Sequence, residues 1–154
     1  MFYVDTSLIA AYYTPEPLSD KVEEFLLSQN RPAVSSLTEL ELFSALSRKV
    51  REEGLDSADA GKVGARFLSH LENGFFTRLP VESGHYRLAR DWLGLFNTSL
   101  RSLDALHLAI ASTAGLTVVT ADLGLSKSAQ ALGLEILLLS GETQRGVAAT
   151  KRET

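Results

Sequence analysis

Residues 116–139 read "LTVVTADLGLSKSAQALGLEILLL". A β-branched apolar run, 117–120, leads into Asp122, a helical segment, 122–133, and a second apolar run, 135–139. Strands that are apolar at nearly every position are buried on both faces, and strand–helix–strand order with such strands indicates a parallel sheet.

The rest of the chain repeats the alternation. "FYVD" (2–5) is a short strand, and "TSLIAAYYT" (6–14) a helix that stops before Pro15 and Pro17. "LSDKVEEFLLSQ" (18–29) spaces Val22, Phe25 and Leu26 for an amphipathic helix. "PAVSS" (32–36) is a second strand, and "LTELELFSALSRKVREEG" (37–54) a long helix closed by Gly54. A helix weakened by two glycines (57–73), the strand "FFTRLPV" (75–81), and helices at 82–96 and from 102 complete the series. The pattern predicts a three-layer α/β/α domain over residues 1–139 with a central, mostly parallel sheet. A polar, loose tail, 140–154, is expected to follow.

The chain has 154 residues, 45% apolar and 22% charged, which suits one compact domain. It has no cysteine, which removes thiol catalysis and disulfides and fits a reducing cytoplasm. The start lacks a basic n-region and carries Asp5 where an apolar signal core would run. The most apolar region, 103–119, is broken by Asp104 and His107, which argues against a membrane span. A net charge of −4 disfavours general coating of nucleic acid. It leaves room for a site in which carboxylates hold cations.

In open α/β sheets, ligands collect beyond the carboxyl ends of the strands. Asp5 ends the first strand, and Asp122 follows "LTVVT" after one alanine. Asp104 sits in the first turn of "SLDALHLAIA" (102–111), just after Ser102, a candidate N-cap. Taken singly, each aspartate is read as a helix cap or dipole partner sooner than as a ligand. Glu39 and Glu41, two residues apart on a helix, point to nearly opposite sides. "SLTE" (36–39) fits a capping box that occupies Glu39, whereas Glu41 has no such role and is followed one turn on by small residues, Ser44 and Ala45. Leu40, Phe43, Leu46 and Val50 form the expected apolar stripe, which lies nearer Glu39, but the choice falls on Glu41. Clustered carboxylates raise one another's pKa unless a cation neutralises them. Mg²⁺ prefers oxygen ligands, and such a site suits metal-assisted attack of water on a phosphodiester.

Four stretches together resemble the PIN-domain ribonucleases, and most of all the VapC toxins of prokaryotic toxin–antitoxin pairs. They are "YVDTS" around Asp5, "SSLTELELFSAL" around Glu41 and Ala45, "LRSLDALHLAIA" around Asp104, and "VVTADLGLSKSAQALGL" with Thr120 before Asp122. The resemblance runs from Met1 to about Leu139. It implies a Mg²⁺- or Mn²⁺-dependent endoribonuclease with Asp5, Glu41, Asp104 and Asp122 as catalytic and metal-binding acids. Thr6, Ser7 and Thr120 are candidate hydroxyl helpers. It further implies a cytoplasmic homodimer that cleaves RNA, is blocked by a cognate VapB-like antitoxin, and meets operator DNA only through that antitoxin.

Arg101 and Lys127 flank two of these motifs, and each is either an RNA phosphate contact or a solvated surface charge. His107, one turn beyond Asp104, is read as a buried structural histidine sooner than as a general base. The basic run "SRKVRE" (47–52) is explained by the helix C-terminus that it decorates. Tyr12, Tyr13, Phe25, Phe67, Phe75 and Phe76 are expected in the core, with any exposed member open to the antitoxin. A haloacid-dehalogenase-type phosphatase needs a second aspartate where Ser7 stands. The remaining rival is a non-catalytic PIN-fold binding module that acts through its partner complex.

Overall fold

The computed structural model describes residues 1–140; the expected tail lies outside them apart from Ser140. Five strands, β1 (Phe2–Val4), β2 (Ala33–Ser35), β3 (Thr77–Leu79), β4 (Thr117–Thr120) and β5 (Ile136–Leu138), form one sheet in the order β3-β2-β1-β4-β5. Every pairing is parallel, with Tyr3 opposite both Ala33 and Val118. Among the described residues seven helices connect the strands: α1 (Thr6–Tyr13), α2 (Ser19–Ser28), α3 (Ser36–Glu52), α4 (Ser57–Glu72), α5 (Ser83–Leu93), α6 (Ser102–Thr113) and α7 (Leu123–Ala131).

Alternation along the strands sends neighbours to opposite faces and so builds two cores. Val4, Val34 and Val119 meet Leu8 and Ile9 of α1, Val22 and Leu26 of α2, Leu42 and Leu46 of α3, and Phe67 of α4. Tyr3, Ala33 and Val118 face the other way, against Leu106, Leu108 and Ile110 of α6 and Leu125 and Ala129 of α7. α5 packs outside α6, where Ala89 meets Ala105 and Ala109. This is the expected three-layer arrangement.

α3 differs from expectation in two ways. Its buried stripe is Leu37, Thr38, Leu42 and Leu46, while Leu40 and Phe43 are exposed. An apolar spacing of three and four fits several stripes on a helix, and only packing selects one. The capping box also falls one residue earlier: Ser35 is the N-cap, its Oγ accepts from Thr38 N–H, and Thr38 Oγ1 accepts from Ser35 N–H. Glu39 instead pairs with Arg78 across 2.6 Å. The far end behaves as read, because Gly54 takes φ +73° and lets Leu55 N–H return to Lys49 O at 3.1 Å. Gly64 in α4 is explained by α3: a Cβ there would lie 2.8 Å from the Phe43 ring.

The strand order places a topological switch at β1. The chain steps outward from β1 to β2 and β3, then returns to the other side of β1 with β4. Between the carboxyl ends of β1 and β4, the following loops diverge and leave a crevice.

Candidate active site

Asp5 and Asp122 stand at that crevice because Asp5 directly follows β1 and Asp122 follows β4 after Ala121. Asp5 occupies the N-cap position of α1 but makes no side-chain cap bond. Its carboxylate is buried, and Oδ2 accepts from Thr120 Oγ1 at 2.7 Å and from Ser7 Oγ at 3.0 Å. Thr120 Oγ1 also accepts from Asp122 N–H at 3.0 Å, so one hydroxyl clips the end of β4 to the end of β1. Asp122 does act as a cap: its Oδ1 accepts from Leu125 N–H at 3.1 Å at the start of α7. The cap reading thus holds for the Asp122 side chain and not for that of Asp5.

Asp104 stands in the first turn of α6, whose N-cap position is Arg101 rather than the expected Ser102. Its carboxylate takes no hydrogen bond from the described residues. Burial, followed by the charges of Asp5, Asp122 and Glu41, pushes its pKa up against the pull of His107.

Glu41 reaches the same place from α3. Burial alone would raise its carboxyl, but the hydrogen bonds and charge of His107 and the Thr6 hydroxyl hold it below its usual value. Thr6 Oγ1 donates to Glu41 Oε1 at 2.9 Å, and His107 Nε2 contacts the same oxygen. His107 is buried, as expected, but it touches a site acid as well as the core.

Asp5, Thr6, Ser7, Glu41, Asp104 and Asp122 line one open cavity of about 350 Å³. Ser44 and Ala45 also border it, so their small size leaves room above Glu41. A second cavity of about 360 Å³ adjoins through Asp104 and Asp122 and carries Arg101 on its rim. Lys127 is exposed on α7 and lines neither. The site residue that sequence reasoning missed is Arg48, which lines the acid cavity seven residues beyond Glu41. Seven residues are two helical turns, so its register with Glu41 was the available signal. Of its neighbours, Lys49 is tied to Glu16 at 3.0 Å and Glu53 at 3.3 Å. The aromatic residues expected in the core are buried or packed against it, and the exposed aromatics are Phe43, Tyr86 and Phe96.

The donors around the cavity are carboxylate and hydroxyl oxygens, the set that hard divalent cations prefer. Among the described residues, no three acids or histidines close to direct coordination of one ion. Asp5 Oδ2, Glu41 Oε1 and Asp122 Oδ1 are each engaged in bonds within the protein. An ion that keeps several waters and takes one or two carboxylates directly fits such a cavity.

Residues 2–130 match the PIN domain family model. Ribonuclease VapC46 of Mycobacterium tuberculosis (strain ATCC 25618 / H37Rv) is 31% identical over 138 residues, covering 88% of this chain and 95% of its own. The crystal structure of M. tuberculosis VapC20, a sarcin–ricin-loop-cleaving toxin, superposes with a TM-score of 0.70 at 19% identity, covering 90% of this chain and all of that one. VapBC2 from Rickettsia felis, bound to a DNA fragment from its promoter, gives a TM-score of 0.60 at 17% identity, covering 91% of this chain and 98% of that one. The sheet order, the acids at its switch point and this similarity along the chain agree: the protein belongs to the PIN-domain family and, within it, to the VapC group.

Proposed function

We propose that this chain is a Mg²⁺- or Mn²⁺-dependent endoribonuclease, the toxin of a toxin–antitoxin pair, held inactive by a VapB-like antitoxin. The observation that carries this reading is the meeting of Asp5, Glu41, Asp104 and Asp122, from four separate segments, in one open cavity. Relatives named as VapC ribonucleases support the substrate class, and the promoter-bound VapBC2 supports contact with operator DNA through the antitoxin. No helix among the described residues is long and apolar enough to cross a membrane. The resemblance to the family implies a homodimer, which mass in solution at micromolar concentration tests.

The bound ion would stabilise charge on the phosphate and lower the pKa of a water. Asp104 and Asp5 are the first candidates to hold it: among the described residues Asp104 has no hydrogen bond to give up, and Asp5 has Oδ1 left over. Glu41 and Asp122, each with one oxygen engaged, would offer the other to the ion or to its waters. Thr6, Ser7 and Thr120 keep the acids in place. Arg101, which lines one of the two adjoining cavities, and Arg48, which lines the other, are the candidates to receive RNA phosphates.

The test is incubation of total cellular RNA with purified, antitoxin-free protein, with Mg²⁺ or Mn²⁺ and with EDTA, beside Asp104→Asn. Discrete fragments that need metal and are absent from the variant are expected. No cleavage by a folded wild type would overturn the nuclease reading and favour a non-catalytic binding module, and normal cleavage by the variant would overturn the assignment of Asp104 to the site.

A further inference from the structure

A chain of side-chain hydrogen bonds runs beneath the acids, from the sheet to Glu41. Ser35 Oγ at the end of β2 lies 2.8 Å from Tyr3 Oη in β1. Tyr3 Oη lies 2.5 Å from His107 Nδ1 in α6, and His107 Nε2 meets Glu41 Oε1 in α3. Thr6 Oγ1 donates to the same Glu41 oxygen and lies 3.4 Å from His107 Nε2. Tyr3 and Ser35 are 0% exposed and His107 is 2% exposed, so the bonds among these three are shielded from solvent, and the chain opens to the cavity only at the half-buried Glu41.

The direction of the bonds follows from what each group can offer. An ionised carboxylate only accepts, so Nε2 carries the proton toward Glu41. Nδ1 is then fixed by Tyr3, whose hydroxyl is fixed in turn by Ser35. The ring cannot rotate without breaking a buried bond at each nitrogen. Glu41 Oε1 therefore receives two donors, and Oε2 has no hydrogen bond within the described residues.

We propose that His107, oriented by Tyr3 and Ser35, is a positioning residue that pins Glu41 Oε1 and presents Oε2 alone to the ion-binding cavity. This rests on the reading of Glu41 as an acid of the nuclease site. Partners that hold a ligating carboxylate set its angle and basicity, and their loss weakens metal binding and turnover together. Ser35, Tyr3 and His107 lie beneath the acids and touch no surface open to RNA, so their loss should act on kcat more than on KM.

The experiment compares His107→Gln, whose amide N–H reaches the position of Nε2, with His107→Asn, whose shorter amide stops near Nδ1. Mn²⁺ affinity is titrated calorimetrically without RNA, and kcat and KM are measured on RNA. His107→Asn is expected to weaken Mn²⁺ binding and lower kcat about tenfold or more with KM unchanged, and His107→Gln to recover most of both. Both amides lose the packing of the ring, so equal losses in the two variants would mean a structural role and overturn the proposal. Wild-type behaviour of both would overturn it too. Tyr3→Phe keeps the aromatic ring and tests the same chain even where the His107 variants do not fold. It should weaken Mn²⁺ binding, and unchanged affinity refutes the chain. In ¹⁵N-histidine-labelled, metal-free protein, His107 should show a protected Nε2–H that Glu41→Ala exposes to exchange. RNA cleavage by a wild type that lacks this proton sinks the positioning role alone. A protected proton in a wild type that neither binds Mn²⁺ nor cleaves RNA sinks the nuclease reading, and the functional role of the chain with it.

Discussion

Thr120→Val tests whether one hydroxyl holds the site together. Thr120 is 0% exposed, and its Oγ1 donates to Asp5 Oδ2 at 2.7 Å while accepting from Asp122 N–H at 3.0 Å. Valine keeps the shape and removes both bonds. A hydrogen bond to a charged acceptor contributes about 1.5–3 kcal/mol, and one to a neutral partner about 0.5–1.5 kcal/mol. Together the loss is about 2–4 kcal/mol, a large part of a stability that is ordinarily about 5–15 kcal/mol. For a chain of this length each kcal/mol moves Tm by about 2–4 °C, so thermal unfolding followed by circular dichroism should show a drop of about 5–15 °C. Ser7 still holds Asp5 Oδ2 at 3.0 Å, so the fold survives. Metal-dependent RNA cleavage should fall about tenfold or more, because Asp5 and the Asp122 turn lose their common anchor. Thr120→Ser keeps the hydroxyl and should restore cleavage. A Thr120→Val protein that melts within about 1 °C of wild type and cuts RNA normally would refute the clip.

Asp104→Asn should stabilise the metal-free protein at neutral pH while abolishing cleavage. Folding raises the Asp104 pKa, so the folded state binds the proton more tightly than the unfolded chain, and ionised Asp104 destabilises the fold above its folded pKa. The gain in Tm should therefore be full above that pKa, shrink as pH falls through it, and vanish below the unfolded carboxyl value; a gain that grows on acidification would show the sign to be wrong. Glu39→Gln breaks only the partly exposed pair with Arg78, a contact of about 0–1 kcal/mol, and should leave cleavage intact, whereas Glu41→Gln should abolish it. The reverse order in the total-RNA assay would exchange the two assignments.

The sequence carried the local information well. Apolar runs bounded by helical segments announced the parallel sheet, because a strand buried on both faces has no polar position to spare. Asp5 and Asp122 were legible as site residues because a parallel sheet offers its ligands beyond strand ends, and the motifs around Glu41 and Asp104 matched a known order. Helix register was less legible. The stripe assigned through Leu40 and Phe43 is exposed, and the box assigned to Ser36 and Glu39 belongs to Ser35 and Thr38. The preference for Glu41 thus rested partly on a cap that does not form, although Glu41 does line the cavity and Glu39 is occupied elsewhere.

What sequence alone determined is what neighbours along the chain decide: which segments are strands, where helices stop, and which acids follow a strand. What only the tertiary structure decided is what distant segments decide by meeting. The hydroxyl of Thr120 joins two acids, one of them 115 residues away. Tyr3 reaches His107 across 104 residues, and His107 reaches Glu41 across 66. Such contacts leave no periodic trace, because a hydrogen bond across the sheet depends on strand order and helix rotation, and packing of the whole core fixes both.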